Sequence, residues 1–306
     1  MDNPPRPDDW EWPRHELIRW EIGLTAPATR AFSLTDRLII GGPAILLMAG
    51  PCSVESEDQI HSAARAVKAA GASALRGGAF KPRTTPHTFQ GLGAEGLRLL
   101  RQAGDAAGLP VVTEVIAHTD VDLVTQHAQI LQIGARSMQN YPLLHAVGET
   151  RVPVILKRGL AATVEEWLGA VEHIRVRGNE RIILCERGIR AVETATRFTL
   201  DITAVPLMHR LCDLPIIVDP SHATGRADLV PEVSRAAIAA GADGLLVEVH
   251  PNPALALSDG AQSLAIDHFA DLVPSLRRVA NAIGRNLPSP VGTVPTGEGS
   301  GVGAGA

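Results

Sequence analysis

Eight short apolar runs, each bounded by glycine or proline and separated from the next by a longer amphipathic stretch, constrain this chain more than any other feature. They are ILLMAGPC ending at Cys52, SALRGGA around Arg76, LPVVTEV through Glu114, QILQIGAR to Arg136, VPVILKRG to Gly159, RIILCERG to Gly188, LPIIVDPSH to His222 and DGLLVEVH through Glu248. Short runs rich in Val, Ile and Leu, apolar on both faces, are the signature of strands buried in a parallel sheet. The stretches between them, such as EDQIHSAARAVKAAG, AEGLRLLRQAGDAAG and TVEEWLGAVEHI, carry apolar residues at helical spacing, and several close on a glycine able to cap a helix. Strand and helix alternating eight times predict an α/β fold, a closed (β/α)8 TIM barrel over residues 35–286. Periodicity alone leaves an open doubly wound sheet as the alternative, and eight repeats favour closure.

Ahead of the first run, Leu38-Ile39-Ile40 and Ala44-Ile45-Leu46 flank Gly41-Gly42-Pro43 and read as a hairpin that would plug the barrel's bottom. Residues 1–34 form an N-terminal extension with one short helical pattern, WPRHELIRWEI, and residues 287–306 are expected to be a disordered tail. A chain of 306 residues that is 45% hydrophobic can bury a large core, and a net charge of −5 argues against binding nucleic acid or an anionic membrane. The acidic, proline-rich start MDNPPRPDDW does not read as a signal peptide, and no apolar run reaches membrane-spanning length. Cys52, Cys185 and Cys212 are too scattered for a disulfide framework, the latter two reading as packing residues. The expectation is a cytoplasmic protein acting on small molecules.

In such a barrel, chemistry sits where strands end and loops begin. Those ends carry Cys52, Arg76 with Lys81 and Arg83, Glu114, Arg136, Lys157 with Arg158, Glu186 with Arg187, Asp219 with His222, and Glu248, all expected to point into one mouth. Only three of the 28 basic residues are lysines, Lys68, Lys81 and Lys157, so Lys81 and Lys157 stand out in a surface otherwise built from arginine. Singly, each arginine reads equally well as a surface ion-pair partner. Together, Arg76, Lys81, Arg83, Arg136, Lys157 and Arg187 suit more than one anion, because guanidinium forks match phosphate and carboxylate oxygens while lysine supplies a mobile point charge.

Cys52, His222, Glu248 and Asp259 combine thiolate, imidazole and carboxylates into a possible divalent-metal site for which Zn, Fe and Mn are all chemically reasonable. Their spacing is not local, and a lone Cys52 reads as easily as a small buried hydrophobe. His118, His127 and His250 are read as helix or loop surface. Gly91-Leu92-Gly93-Ala94-Glu95-Gly96 fits a dinucleotide fingerprint but follows the polar stretch TTPHTFQ where a strand is required, so it is set aside.

The segments AGPCSVES, LRGGAFKPRTTPHTFQGLG, VVTE, QIGARSMQN, LKRG, ILCERGIR, VDPSHATGR and VEVHPNPALALSDGAQSL, in this order between about Leu38 and Ala282, resemble 3-deoxy-D-arabino-heptulosonate 7-phosphate (DAHP) synthase of the type I-beta branch. The resemblance implies a (β/α)8 barrel, a divalent cation (Mn, Fe, Co or Zn), and condensation of phosphoenolpyruvate with D-erythrose 4-phosphate, the first step of the shikimate pathway. It implies that Cys52, His222, Glu248 and Asp259 hold the metal. Arg76, Lys81 and Lys157 would face the carboxylate of phosphoenolpyruvate, and Arg136, Lys157 and Arg187 its phosphate. Arg83 and Thr84 would take the aldose phosphate, with Glu114 beside the enol phosphate.

Lys81 and Lys157 are the candidate proton carriers, on the expectation that a lysine desolvated among cations loses its proton readily. With Cys52 and His222 they make up the expected catalytic set. A homo-oligomer, dimer or tetramer, is expected. No ferredoxin-like or chorismate mutase domain accompanies the barrel, so catalysis without strong feedback inhibition is expected. Ser137 stands where the family commonly has asparagine. The rival readings are 3-deoxy-D-manno-octulosonate 8-phosphate (KDO8P) synthase, against which Lys81-Pro82-Arg83-Thr84 argues, a Schiff-base aldolase built on Lys157, and a catalytically silent binding partner that keeps the fold.

Overall fold

A computed structural model describes residues 28–36, 38–81, 85 and 87–288. The WPRHELIRWEI pattern, Arg83, Thr84 and the expected tail beyond residue 288 lie outside the described residues. Eight parallel strands form the centre: β3 (Leu46–Gly50), β4 (Ala74–Arg76), β5 (Val111–Glu114), β6 (Ile130–Ile133), β7 (Val154–Lys157), β8 (Ile182–Glu186), β9 (Ile216–Val218) and β10 (Gly244–His250). Each pairs with the next, and β10 pairs with both β9 and β3, so the sheet closes into a barrel and the open-sheet alternative falls. These are the eight apolar runs of the sequence, in order.

Helices α1 (Glu57–Ala70), α2 (Ala94–Ala107), α3 (Val121–Thr125), α4 (Tyr141–Gly148), α5 (Val164–Arg175), α6 (Ala204–Leu211), α7 (Pro220–Thr224) and α8 (Val230–Ala239) fill the crossovers, and α9 (Ile266–Ala282) follows β10. Their ends are set locally. Ser56 accepts from the Gln59 N–H to start α1, Gly71 ends it in the left-handed conformation, and Thr163 and Glu166 form a reciprocal capping box on α5. A short strand, β11 (Leu264–Ala265), pairs parallel with the end of β10 and leads into α9.

The strand period of two divides the buried side chains into two cores. Leu47, Leu75, Val111, Leu131, Leu156, Leu184, Val218 and Val247 face the helices, packing with side chains such as Trp167 and Phe269. Leu46, Met48, Ala74, Val112, Ile130, Ile155, Ile183, Cys185, Ile217 and Leu246 fill the barrel itself. A hairpin does close the bottom, but one strand earlier than the sequence suggests: β1 (Phe32–Thr35) pairs antiparallel with β2 (Leu38–Ile40), and Leu34 and Ile40 join the inner core. The reason is competition for Leu46, whose burial in the barrel requires it to pair with Gly244 of β10.

The same alternation, continued one step toward the strand ends, turns Arg76, Glu114, Gln132, Lys157, Arg187, Asp219 and Glu248 inward, each two residues beyond an inner-core position. Arg158 and Glu186 have the opposite parity and do not enter the mouth. They pair with each other at 3.1 Å, and Arg158 also reaches Asp201 at 2.8 Å and lies over the Trp167 ring. The expectation that every polar strand end shares one mouth is therefore corrected for these two.

Candidate active site

The inward-turned residues open into a cavity of about 260 Å³ lined by Lys81, Glu114, Gln132, Arg136, Lys157, Arg187, Arg197, His222 and Asp259, with Thr85, Thr88, Gly134, Ala135, Leu160 and Phe198. At one edge, ligand atoms of Cys52, His222, Glu248 and Asp259 all lie within 4.8 Å of one another. The Cys52 thiol donates to Asp259 Oδ2 at 3.0 Å, and His222 Nε2 stands 3.5 Å from Glu248 Oε1. Four donors of mixed softness, from the loop after β3, helix α7, strand β10 and the loop beyond it, suit a divalent cation. Burial, with Glu248 next, pushes the Cys52 thiol up to about 12. Burial also raises Glu248 and Asp259, but is outweighed: His222 and Arg76 hold Glu248 below its ordinary value, and the Cys52 hydrogen bond, His222 and Arg197 hold Asp259 at about 2.

Cations support this cluster from behind. Arg76 donates to Glu248 Oε1 at 3.1 Å and to the Pro51 carbonyl at 2.6 Å, so its guanidinium is buried under the quartet and is not part of the cavity wall. Lys81 Nζ donates to Cys52 Sγ at 2.9 Å. Burial lowers its pKa, yet Cys52, Glu248 and Glu114 raise it further, so Lys81 is held as an ammonium. This reverses the expectation that surrounding cations would loosen its proton: the acidic groups around it outweigh burial and Arg76. Arg187 does follow that expectation in direction, lowered chiefly by burial, and its guanidinium lies 4.0 Å over the Phe198 ring.

Three further side chains take part. Asp219, which follows β9 and caps α7, receives Lys157 Nζ at 2.5 Å and the His222 backbone N–H at 2.9 Å, and its Oδ2 lies 2.8 Å from His222 Nδ1. The last contact is close without hydrogen-bond alignment. Asp219 is held well below the ordinary carboxylate range, since His222 and Lys157 outweigh its burial. Gln132 donates to Glu114 Oε2 at 3.3 Å. Arg197 donates to Asp259 Oδ1 at 3.3 Å and to Gln262 Oε1 at 2.8 Å, and Gln262 in turn donates to Glu248 Oε2 at 2.8 Å. Asp219 and Gln132 were within reach of parity counting; Arg197 sits in an irregular loop and gives no periodic signal.

The profile of the DAHP synthetase I family matches residues 26–283. The chain belongs to that family. A phospho-2-dehydro-3-deoxyheptonate aldolase of Thermotoga maritima is 52% identical over 245 residues, covering 80% of this chain and 72% of the relative. A 2-dehydro-3-deoxyphosphooctonate aldolase of Koribacter versatilis is more distant, at 32% identity, covering 80% of this chain and 94% of the relative. Among solved structures, the Thermotoga maritima DAHP synthase superposes with a TM-score of 0.83 at 50% identity, covering 86% of this chain and 76% of that one. A truncated form of the same organism's enzyme gives 0.80 at 46% identity, covering 86% and 96%.

Within this DAHP synthetase I chain, the quartet, Lys81, Glu114, Arg136, Lys157 and Arg187 are brought to one cavity edge or wall, as the sequence suggested. His250 is a correction. Expected at the surface, it is buried at the end of β10, because the segment after that strand folds back over it through Asn252, whose N–H donates to His250 Nδ1 at 3.0 Å. His118 is exposed and the GxGxxG look-alike leads from a loop into α2, as read. Among the described residues, no helix is long and apolar enough to cross a membrane.

Proposed function

We propose that this chain is a DAHP synthase: it joins phosphoenolpyruvate to D-erythrose 4-phosphate with water, giving 3-deoxy-D-arabino-heptulosonate 7-phosphate and inorganic phosphate. The observation that carries the reading is the juxtaposition of the buried Cys52-His222-Glu248-Asp259 quartet with a cavity walled by Lys81, Arg136, Lys157, Arg187 and Arg197. Two phosphates and a carboxylate must meet there, and fixed cations offset their mutual repulsion.

Lys157 and Lys81 reach the carboxylate end of phosphoenolpyruvate, with Arg76 acting from beneath through Glu248. Arg136, Lys157 and Arg187 hold its phosphate. Glu114, braced by Gln132, stands beside the enol. Arg83 and Thr84 take the aldose phosphate. A bound divalent cation, Mn, Fe, Co or Zn, supplies Lewis-acid polarisation of the aldehyde carbonyl. With three anionic ligands and one neutral imidazole, the protein side of that site carries an excess of negative charge that Lys81, Arg76 and Arg197 balance.

As C3 of the enol attacks the aldehyde, the new alkoxide needs a proton, and Lys81, held as an ammonium, is placed to give one. Asp219 stays ionised and holds Lys157 Nζ in a buried 2.5 Å contact that aims it at the cavity. Water then adds at C2, and the C–O bond to phosphate breaks. Holding both substrates in one geometry contributes up to roughly 7–11 kcal/mol in well-oriented cases.

The chain acts in the cytoplasm, in keeping with its three free cysteines. It assembles as a homo-oligomer, for which the fully exposed Val192 and largely exposed Leu255 are apolar side chains that a contact would cover. The deciding experiment is phosphate release from phosphoenolpyruvate with either erythrose 4-phosphate or arabinose 5-phosphate, each with and without a chelator. Chelator-sensitive turnover with the tetrose is the expected result; preference for the pentose would assign KDO8P synthesis.

A further inference from the structure

Asp259 is the sole non-glycine residue among those described whose φ is positive, at 51° with ψ 30°. An L-residue in this left-handed conformation needs its surroundings to hold it there. Its carbonyl accepts from Gln262 N–H and Ser263 Oγ, Oδ1 accepts from Arg197, and Oδ2 accepts from the Cys52 thiol. The residue before it is tied to the Cys52 loop as well. Ser258 Oγ lies 2.5 Å from Ser53 Oγ, both side chains are buried, and Ser53 directly follows Cys52. One hydroxyl contact thus ties together the neighbours of two quartet members whose own ligand atoms are 3.0 Å apart.

Glu55 extends the tie. Its Oε1 accepts from the Leu257 N–H at 2.9 Å and from Ser53 Oγ at 3.3 Å, while Oε2 lies 3.3 Å from His250 Nε2. Because His250 Nδ1 accepts from the Asn252 N–H, its ring proton sits on Nε2 and is donated to Glu55. Both carboxylate oxygens of a residue on the loop after β3 therefore engage the end of β10 and the segment after it. None of these four side chains lines the cavity.

We propose that Ser53, Glu55, His250 and Ser258 are positioning residues that lock the segment after β10 onto the Cys52 loop and so hold Asp259 where it completes a cation site. This rests on the reading of the quartet as a metal centre. Outer partners of this kind typically change metal affinity by ~10–100-fold when removed.

The test uses the purified, metal-free full chain titrated with Co²⁺, followed by the thiolate-to-cobalt charge-transfer absorption that Cys52 contributes. If the unaltered chain develops no such band, the metal reading itself fails. Given the band, Glu55→Gln and Ser258→Ala should each weaken Co²⁺ binding at least ~10-fold, while the metal-free melting temperature stays near that of the unaltered chain. In an Asp259→Ala background, neither change should weaken binding further. Affinity within twofold of the unaltered chain, or an equal loss that persists in the Asp259→Ala background, overturns the proposal. Should Glu55→Gln fail to fold, Ser258→Ala decides by the same criteria.

Discussion

Lys157 Nζ lies 2.5 Å from Asp219 Oδ2, and both side chains are almost completely buried. Asp219 uses the same carboxylate to fix the backbone N–H of His222, so one residue links a cavity cation to a metal-ligand candidate. A buried pair of this kind is costly to break from one side, because the remaining charge is left without compensation. Lys157→Met should lower kcat by about 10²–10³-fold, the scale of losing one preorganised charge donor, with a destabilisation of about 3–5 kcal/mol. Steady-state kinetics and urea unfolding would check both, and near-normal turnover in a folded variant would remove Lys157 from the chemistry.

Glu114 is held by a glycine as much as by Gln132. A Cβ added at Gly134 would fall 2.1 Å from Glu114 Oε1, closer than any real contact, while its φ is ordinary. Gly134→Ala should therefore push the Glu114 carboxylate aside without straining the backbone. Misplacing a reacting group by about an ångström can cost 10²-fold, and kcat/KM should fall by about that factor with little change in melting temperature. Unchanged kcat/KM would show that Glu114 has no part in the reaction.

The barrel was legible because its evidence is periodic. Val111-Val112 and Ile182-Ile183 read as strands, and a strand's alternation fixes which residue at its end turns inward. Applied to the end, that rule separates Arg187 from Glu186 and Lys157 from Arg158, and would have raised Asp219 and Gln132 to site residues. Treating all polar strand ends as one set lost the distinction. The hairpin was misplaced because Leu38–Leu46 offers two pairings of similar local character, and only barrel closure claims Leu46. Arg197 and His250 depend on how irregular segments fold back, for which the sequence carries no period.

Behind the barrel wall, Arg158 is shared between Glu186 and Asp201. Burial raises the Glu186 carboxyl above its usual value despite Arg158, while Asp201, though partly buried, is held below its own by Thr203 and Arg158. The raised group binds its proton more tightly in the folded state, so ionising it costs stability as pH rises from the ordinary glutamate value of about 4.3. The depressed group does the reverse: its stabilising contribution is present above its unfolded value and is lost as pH falls. Arg158→Met aggravates the first effect and removes part of the second, and both act most at neutral pH. The variant should lose about 3–5 kcal/mol near pH 7, with the deficit shrinking as pH approaches 5. Urea unfolding across that range would test it, and a pH-independent deficit would count against the electrostatic origin.

Removing the cation should separate activity from folding. The two apolar cores contain none of the four ligands except by adjacency, since Cys52, His222, Glu248 and Asp259 sit above the inner layer and the helices pack on the outside. A chelated chain should therefore keep its far-ultraviolet circular dichroism while releasing no phosphate from phosphoenolpyruvate and erythrose 4-phosphate. Restoring a divalent cation at 100 times its dissociation constant adds about 2.7 kcal/mol by mass action, which for a domain of this size corresponds to roughly 5–10 °C in melting temperature. Cys52→Ala should abolish most of that increment, because it deletes a ligand; Lys81 loses its Sγ partner but its Nζ retains the Cys52 carbonyl at 3.2 Å. Scanning calorimetry with and without added Mn²⁺ or Zn²⁺ measures the difference directly. An equal rise in the unaltered chain and in Cys52→Ala would place the cation somewhere other than the quartet.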